Sequence, residues 1–417
     1  MRAVASLLAL PLFLAFPLQA QDKLAWARFR GPDGLGLATG KAPTNWSQKE
    51  NLAFKTALPG MGTSSPIVVG ERIYLTCYAG FGAPGDKDMS KLKRLLVCLD
   101  AKGDILWSKE VASKLPEQER IRDDHGYASS TPVCDGERLY VFFGKSGVLA
   151  FTLEGEKLWQ ADVGERLNDW GSAASPVLFG DLVIVNASVE SGSLIALDRK
   201  TGKERWRAKG IVESWNTPIL VTPKGEKTEL VVAIMGKVLG FDPETGAPLW
   251  SCATDIPWYM VPSGVPHDGV VYYTGGRGGG GTLAVRAGGT GDVTKTHRLW
   301  MIRKGTNVPS PILHKGRLYF ASEGGGLLYC VDAASGKVIY EEREPRADAV
   351  YASPILADGK LYYLTRTGAT LVVAAGPEMK VLATNDLRDR GAFNASPAVM
   401  GNRLLIRSDK YLYGIGK

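Results

Sequence analysis

Ala196-Leu197-Asp198-Arg199-Lys200-Thr201-Gly202-Lys203-Glu204-Arg205-Trp206 reads as the end of one strand, a tight turn, and a second strand led by an indole. Thr-Gly supplies the turn, because only glycine takes a positive φ there without steric cost. The same shape returns at Gly240-Phe241-Asp242-Pro243-Glu244-Thr245-Gly246-Ala247-Pro248-Leu249-Trp250. Looser copies run from Cys98-Leu99-Asp100 to Trp107 and from Cys330-Val331-Asp332-Ala333-Ala334-Ser335-Gly336 to Tyr340. A hairpin recurring at a long, near-constant period marks a repeat architecture, in which each unit buries its faces only against its neighbours.

Outward from each hairpin lies a second marker: a small residue and proline, a few apolar residues, then a turn and a β-rich run. It stands at Ser65-Pro66, Thr131-Pro132, Ser175-Pro176, Thr217-Pro218, Ser310-Pro311, Ser353-Pro354 and Ser396-Pro397, with a degenerate copy at Pro262-Ser263-Gly264-Val265. Measured on the prolines, the steps are 66, 44, 42, 44, 49, 43 and 43 residues. The first is long because two insertions, Phe81 to Lys93 and Ser113 to His125, interrupt that repeat. Each repeat holds four short strands, in the third Pro176–Leu178, Leu182–Asn186, Leu194–Leu197 and Glu204–Ala208. Four antiparallel strands in a repeat of this length make a propeller blade. Proline is admitted because it begins the innermost strand.

Eight such starts predict eight blades. The last repeat ends at Lys417 after three strands, Ala398–Val399, Arg403–Ile406 and Tyr411–Ile415, whereas Leu52–Thr56 has no partner of its own. Pairing the two closes the ring and removes an open edge. The expectation is an all-β, eight-bladed β-propeller over residues 51–417, with its last blade closed by an N-terminal strand. A turn-rich strap over residues 21–50 is expected to lie against that blade.

The 417 residues include 50 Gly and 23 Pro and are 45% apolar and 22% charged, which suits a large core with many tight turns. Met1-Arg2, an apolar run from Ala3 to Leu18, and Gln19-Ala20-Gln21 read as an export signal over residues 1–20. Pro11 and Pro17 interrupt that run, and no transmembrane segment is expected later in the chain. The mature protein is expected to be soluble, monomeric, and periplasmic or secreted. Loss of Arg2 with the signal lowers the formal charge from +7 to +6. Both signs are interspersed, which argues against a nucleic-acid surface. Cys77, Cys98, Cys134, Cys252 and Cys330 are odd in number and include no C-x-x-C, so no metal or redox motif is indicated. Cys98 and Cys330 hold the position of Ala196 and Gly240 and read as small buried packers. A Cys77–Cys98 bridge between neighbouring strands is conceivable.

The A-x-D-x-x-T-G-x-x-x-W pattern resembles the tryptophan-docking motif of pyrroloquinoline quinone (PQQ) dehydrogenases and their propeller relatives. Ala196, Asp198, Thr201, Gly202 and Trp206 match it fully, and Asp242, Thr245, Gly246 and Trp250 nearly so. Trp26-Ala27-Arg28-Phe29-Arg30-Gly31-Pro32, Trp46 and Leu58-Pro59-Gly60 resemble the start of exported bacterial PQQ-like propellers. The propeller of the outer-membrane β-barrel assembly machinery, a non-enzymatic scaffold, is another relative. The resemblance implies that Trp107, Trp159, Trp206, Trp250 and Trp300 pack between blades. Many quinone dehydrogenases also carry adjacent cysteines at the cofactor, and some a C-x-x-C-H haem site. Neither is present here, so the fold transfers and the chemistry does not.

In a propeller, the loops entering the innermost strands converge on one mouth of the central channel. Here they carry Asp124, His125 and Tyr127, then Asp169 and Trp170, then Glu213, Trp215 and Asn216, then Trp258 and Tyr259. Asn307, Asp348, Tyr351, Arg388, Arg390, Phe393 and Asn394 complete the set. Aromatics with a few convergent polar groups suit an envelope protein or a small planar or sugar-like ligand. The plain alternative is that the aromatics plug the channel and the charges face water. Glu213, Asn216, Asp169 and Asp348 could supply hard oxygens to a Ca²⁺ and PQQ site. His125, beside Asp124, is the acid–base candidate among four histidines. Gly276-Arg277-Gly278-Gly279-Gly280-Gly281 matches G-x-G-x-x-G but leads into a strand-like Thr282–Val285, so it reads as a hairpin loop. No G-x-S-x-G or H-E-x-x-H occurs. The leading expectation is an exported, non-catalytic propeller that binds an envelope partner, with no catalytic or metal-ligating residue assigned. The alternative is a PQQ-dependent oxidoreductase acting on alcohols or sugars.

Overall fold

The aspartate of each repeated hairpin caps its own turn. In the computed structural model, which describes residues 25–82, 85–277, 280–345 and 347–416, Asp198 Oδ1 accepts from the Thr201 N–H and the Thr201 hydroxyl, both at 2.9 Å. The Gly202 N–H donates to the Asp198 carbonyl at 2.8 Å. The Thr201 hydroxyl bond, with the turn N–H groups, holds the Asp198 carboxyl below its ordinary range. Asp242 and Asp332 repeat the arrangement with Thr245 and Ser335. Such Asx turns preform the chain reversal. The flanking pairs slip by one residue there, at Ala196/Leu197, Gly240/Phe241 and Cys330/Val331.

The glycine of the turn serves twice. Gly202 takes φ +73°, and a side chain on it would meet Trp159 of the preceding blade at 2.6 Å. Gly246 stands likewise against Trp206, and Gly336 against Trp300. The indole N–H groups of Trp159, Trp206 and Trp300 donate to the carbonyls of Arg199, Pro243 and Ala333. Trp250 differs, donating to the Glu229 carboxylate at 2.7 Å.

Eight sheets result, arranged as a propeller ring. The third is ordered Val177–Phe179, Leu182–Ala187, Ser193–Asp198, Glu204–Lys209. Second and third strands are buried nearly throughout, whereas an outermost strand such as Lys380–Asp386 alternates. That pattern follows from a sheet wedged between two neighbours and wetted at its outer edge. Among the described residues the α-helices are single turns, at Ser188–Ser191 and Thr294–His297. The eighth sheet joins Ala398–Met400, Arg403–Arg407 and Tyr411–Ile415 to Leu52–Ala57. Leu52–Ala57 runs antiparallel to Tyr411–Ile415, with Lys55 opposite Tyr413. The Gly-rich loop connects two paired strands, Val270–Gly275 and Gly281–Arg286.

The expected export signal lies outside the described residues. The strap that follows crosses the ring before its later residues reach the last blade. The Trp26 carbonyl accepts from Val68 of the first blade and the Ala27 carbonyl from Cys134 of the second. Three residues later the Arg30 guanidinium donates to the Pro311 carbonyl of the sixth blade. Second and sixth blades face each other in an eight-membered ring, so the chain passes over the axis between Ala27 and Arg30. Leu37–Ala38 then pairs, parallel, with Ile355–Ala357 of the seventh blade. It reaches the eighth at Gly40, Lys41 and Pro43, which stand against Gly401, Asn402 and Gly416. Burial dictates this path, because Trp26 is only 1% exposed and takes its seat over the inner strand of the first blade.

All five cysteines are free and buried. The conceivable Cys77–Cys98 bridge is not formed. Cys77 stands opposite Leu95 and Cys98 opposite Tyr74, three positions out of register.

Candidate functional site

The small residue before each marker proline faces the propeller axis. Ser65, Thr131, Ser175, Thr217, Ser263, Ser310, Ser353 and Ser396 encircle the channel, one from each blade. From Ser65 round to Ser396, the backbone N–H of each donates to the hydroxyl of the next at 2.9–3.0 Å. Seven bonds thus tie neighbouring blades together at the axis. In the degenerate copy it is Ser263 that joins the ring, so Gly264, not Pro262, stands in the proline's place. Sequence reading recognised these hydroxyl residues as markers and missed their function.

Above the ring the channel widens into a cup of about 480 Å³, with Phe29 of the crossing strap at its floor. Of the expected residues, Asp124, His125, Trp170, Trp215, Tyr259, Asn307, Tyr351 and Asn394 line it. Arg120, Arg277 and Glu323 line it as well and were not foreseen. Arg277 and Glu323 sit on turns between the second and third strands of their blades. Those turns end on the same face as the loops entering the innermost strands, a signal available from the repeat but not used. Arg120 belongs to the Ser113–His125 insertion. That insertion is pinned by a buried Arg94–Glu117 ion pair at 2.6 Å and by Lys145 Nζ donating to the Pro116 carbonyl at 2.6 Å.

The wall from the second to the fourth blade loops is aromatic. Trp215 donates its N–H to the Gly171 carbonyl at 2.7 Å, which fixes the ring. Tyr259 meets it edge-on at 5.3 Å and meets Trp170 at 6.1 Å. The Arg120 guanidinium lies 4.5 Å from the Trp170 ring centre. The opposite wall is polar. Glu323 Oε2 accepts from the Asn307 N–H at 2.9 Å, while the buried Asn307 Oδ1 has no donor. Asn394 donates to the Asp124 carbonyl and accepts from Arg366. Arg366 in turn covers Tyr351 at 4.1 Å.

His125 is held rather than free. Its Nε2 lies 2.7 Å from the Trp170 carbonyl and so carries the proton, leaving Nδ1 to accept from the Ser129 hydroxyl. Burial lowers its pKa below the ordinary histidine value, against the pull of the Trp170 carbonyl and of Asp124.

The remaining expected residues lie outside the cup. Tyr127 is buried behind it, its hydroxyl donating to the Gln118 carbonyl. Phe393 is buried and stacks on Tyr413. Trp258 stands on the rim beside a groove shared with Arg277, Arg298 and Arg303. Asp348, Arg388 and Arg390 are exposed at the surface. The four oxygen donors considered for Ca²⁺ do not meet. The Asn216 amide is fully buried and bonded to Ser214, to Met260 and, through both its oxygen and its nitrogen, to Ala233. Asp169 accepts from Gln118, Asp348 bonds its neighbouring N–H, and Glu213 lies three blades away from Asp348. These residues do not fit a Ca²⁺ and PQQ site.

Compared with known proteins, the chain matches the family model described as outer membrane protein assembly factor BamB over residues 78–214 and 234–377. The outer membrane protein assembly factor BamB of Burkholderia pseudomallei (strain K96243) is 25% identical over 208 residues, 48% of this chain and 46% of the relative. The chain therefore spans about half the length of the curated relative it matches. Among solved structures, BamB from Moraxella catarrhalis is similar with a TM-score of 0.61 at 13% identity, over 87% of this chain and 98% of that one. Quinohemoprotein alcohol dehydrogenase from Comamonas testosteroni is similar with a TM-score of 0.70 at 10% identity, over 96% and 82%. At such identities the likeness speaks for the fold alone.

Proposed function

The chain belongs to the PQQ_2 family, described as outer membrane protein assembly factor BamB, and on that premise we propose that it is a non-catalytic scaffold of the cell envelope. In this reading it is exported to the periplasm or beyond, acts as a monomer, and holds a partner protein on the mouth face of its propeller. The observation that carries the reading is on the rim. Leu167, Val212 and Trp258 are 39%, 48% and 47% exposed on the mouth loops of three consecutive blade junctions, with Asp169, Glu213 and Asp255 nearby in the same loops. Other exposed apolar residues, such as Leu158, Leu299 and Leu382, lie singly on outermost strands. Apolar side chains on neighbouring loops among polar ones suit a protein interface, whereas scattered single ones need no explanation. His125, with both ring nitrogens engaged, offers no free base to a substrate.

A photo-crosslinking residue placed at Val212 or at Leu382 in the exported chain tests the reading. Adducts with an envelope protein from position 212 and none from 382 are expected. Equal adducts from both positions, or none from either, would sink it.

A further inference from the structure

Each ring hydroxyl from Thr131 round to Ser396 accepts one backbone N–H, yet none of the eight donates its own proton to a protein group among the described residues. Each keeps a proton to donate and a lone pair to accept, and all eight line one cup. The buried Asn307 Oδ1 is a further acceptor without a donor. Trp170 and Tyr259 line the same cup, tilted against each other at 6.1 Å, with Arg120 over one side of the Trp170 ring. The charges in the lining cancel: Arg120 and Arg277 are matched by Asp124 and Glu323, with His125 held neutral. That balance disfavours an anionic aromatic or an acidic peptide, which would need an excess of cations. Phe29 of the crossing strap lines the end away from the mouth loops.

We propose that this cup is a binding site for a short neutral carbohydrate. One apolar face of a sugar ring packs on the Trp170–Tyr259 wall, and its hydroxyls meet groups that both donate and accept, namely the ring hydroxyls, Asn307 and Tyr351. A cup of about 480 Å³ is in the size range of small-molecule sites and has room for a disaccharide. The proposal does not rest on the partner reading, which concerns the rim outside the cup.

The full chain is titrated with maltose and with N,N′-diacetylchitobiose, followed by calorimetry and by tryptophan emission. Saturable binding of at least one sugar is expected. Trp170→Ala should weaken it roughly three- to tenfold, the loss of one aromatic contact. Tyr351→Phe, which keeps the ring under Arg366, should weaken it by a smaller factor. Val212→Asp should leave it unchanged while abolishing partner capture, which separates the two readings. No saturable response to either sugar overturns the proposal, as does binding that Trp170→Ala leaves intact in a variant of unchanged melting temperature. PQQ binding that neither sugar displaces overturns it as well.

Discussion

Glu190 shows how a single buried group can make stability depend on pH. It sits in the one-turn helix Ser188–Ser191, is 2% exposed, and both its carboxylate oxygens lack a hydrogen-bond partner. It shares a small cavity with the Arg94–Glu117 pair, Lys145 and Arg166. Burial pushes its carboxyl up to about 7 from an ordinary 4.5, with Glu117 adding to the rise and Arg94 opposing it. A carboxyl whose folded pKa is raised contributes stability that is present below the unfolded pKa and lost as pH climbs through the folded one. Glu190→Gln should therefore change little at pH below about 4.5 and stabilise by a few kcal/mol above about 7. Urea unfolding on either side of that window checks it, and an identical difference at both ends would refute the assignment. Removing one partner of the nearby ion pair should act oppositely. Glu117→Gln leaves Arg94 buried without its anion and is expected to cost about 3–5 kcal/mol. Neither role was legible in the sequence, because the groups that enclose the two carboxyls come from distant parts of the chain.

At the scale of the element, the repeated hairpin was the most legible feature, because its chemistry is local. Asp, Thr and Gly lie within five residues of one another, and each is required by the turn itself. The second duty of the glycine was less visible, since the indole it receives comes from the preceding blade. Gly246→Ala must both strain φ +71° and displace the Trp206 ring. A loss of about 1–3 kcal/mol from backbone strain, plus the cost of moving the indole, is expected in thermal melts. The pairing of Leu52–Ala57 with Tyr411–Ile415 is testable in the same way. Deleting residues 51–57 uncovers the Tyr411–Ile415 edge, and light scattering should then show association that the full chain lacks. An equally monodisperse deletion variant would mean that this edge is protected by something else.

At the scale of the whole molecule, the strap turns an open channel into a cup. Its crossing from the second blade to the sixth takes only the residues between Ala27 and Arg30, and Phe29 is the one that lines the cup. Phe29→Ala should leave the outer strands as they are while raising hydrogen exchange at the ring amides of Ser65, Thr131, Ser175 and their counterparts. Exchange that rises throughout all eight blades would instead make the strap part of the folding core. The repeat, the number of blades and the strands within each could be read from the chain alone, because turn chemistry and hydrophobic patterning act over a few residues and can be counted. Of the residues at the mouth it could say only which loops they occupy. Which of them converge was decided by tertiary structure alone, as with Trp170 and Tyr259 meeting across blades, Asn216 spent on backbone, and Arg277 and Glu323 arriving on unforeseen turns. The physical reason is that a side chain's direction and its distant neighbours depend on how the ring and the strap close in space, and spacing along the chain carries no record of either.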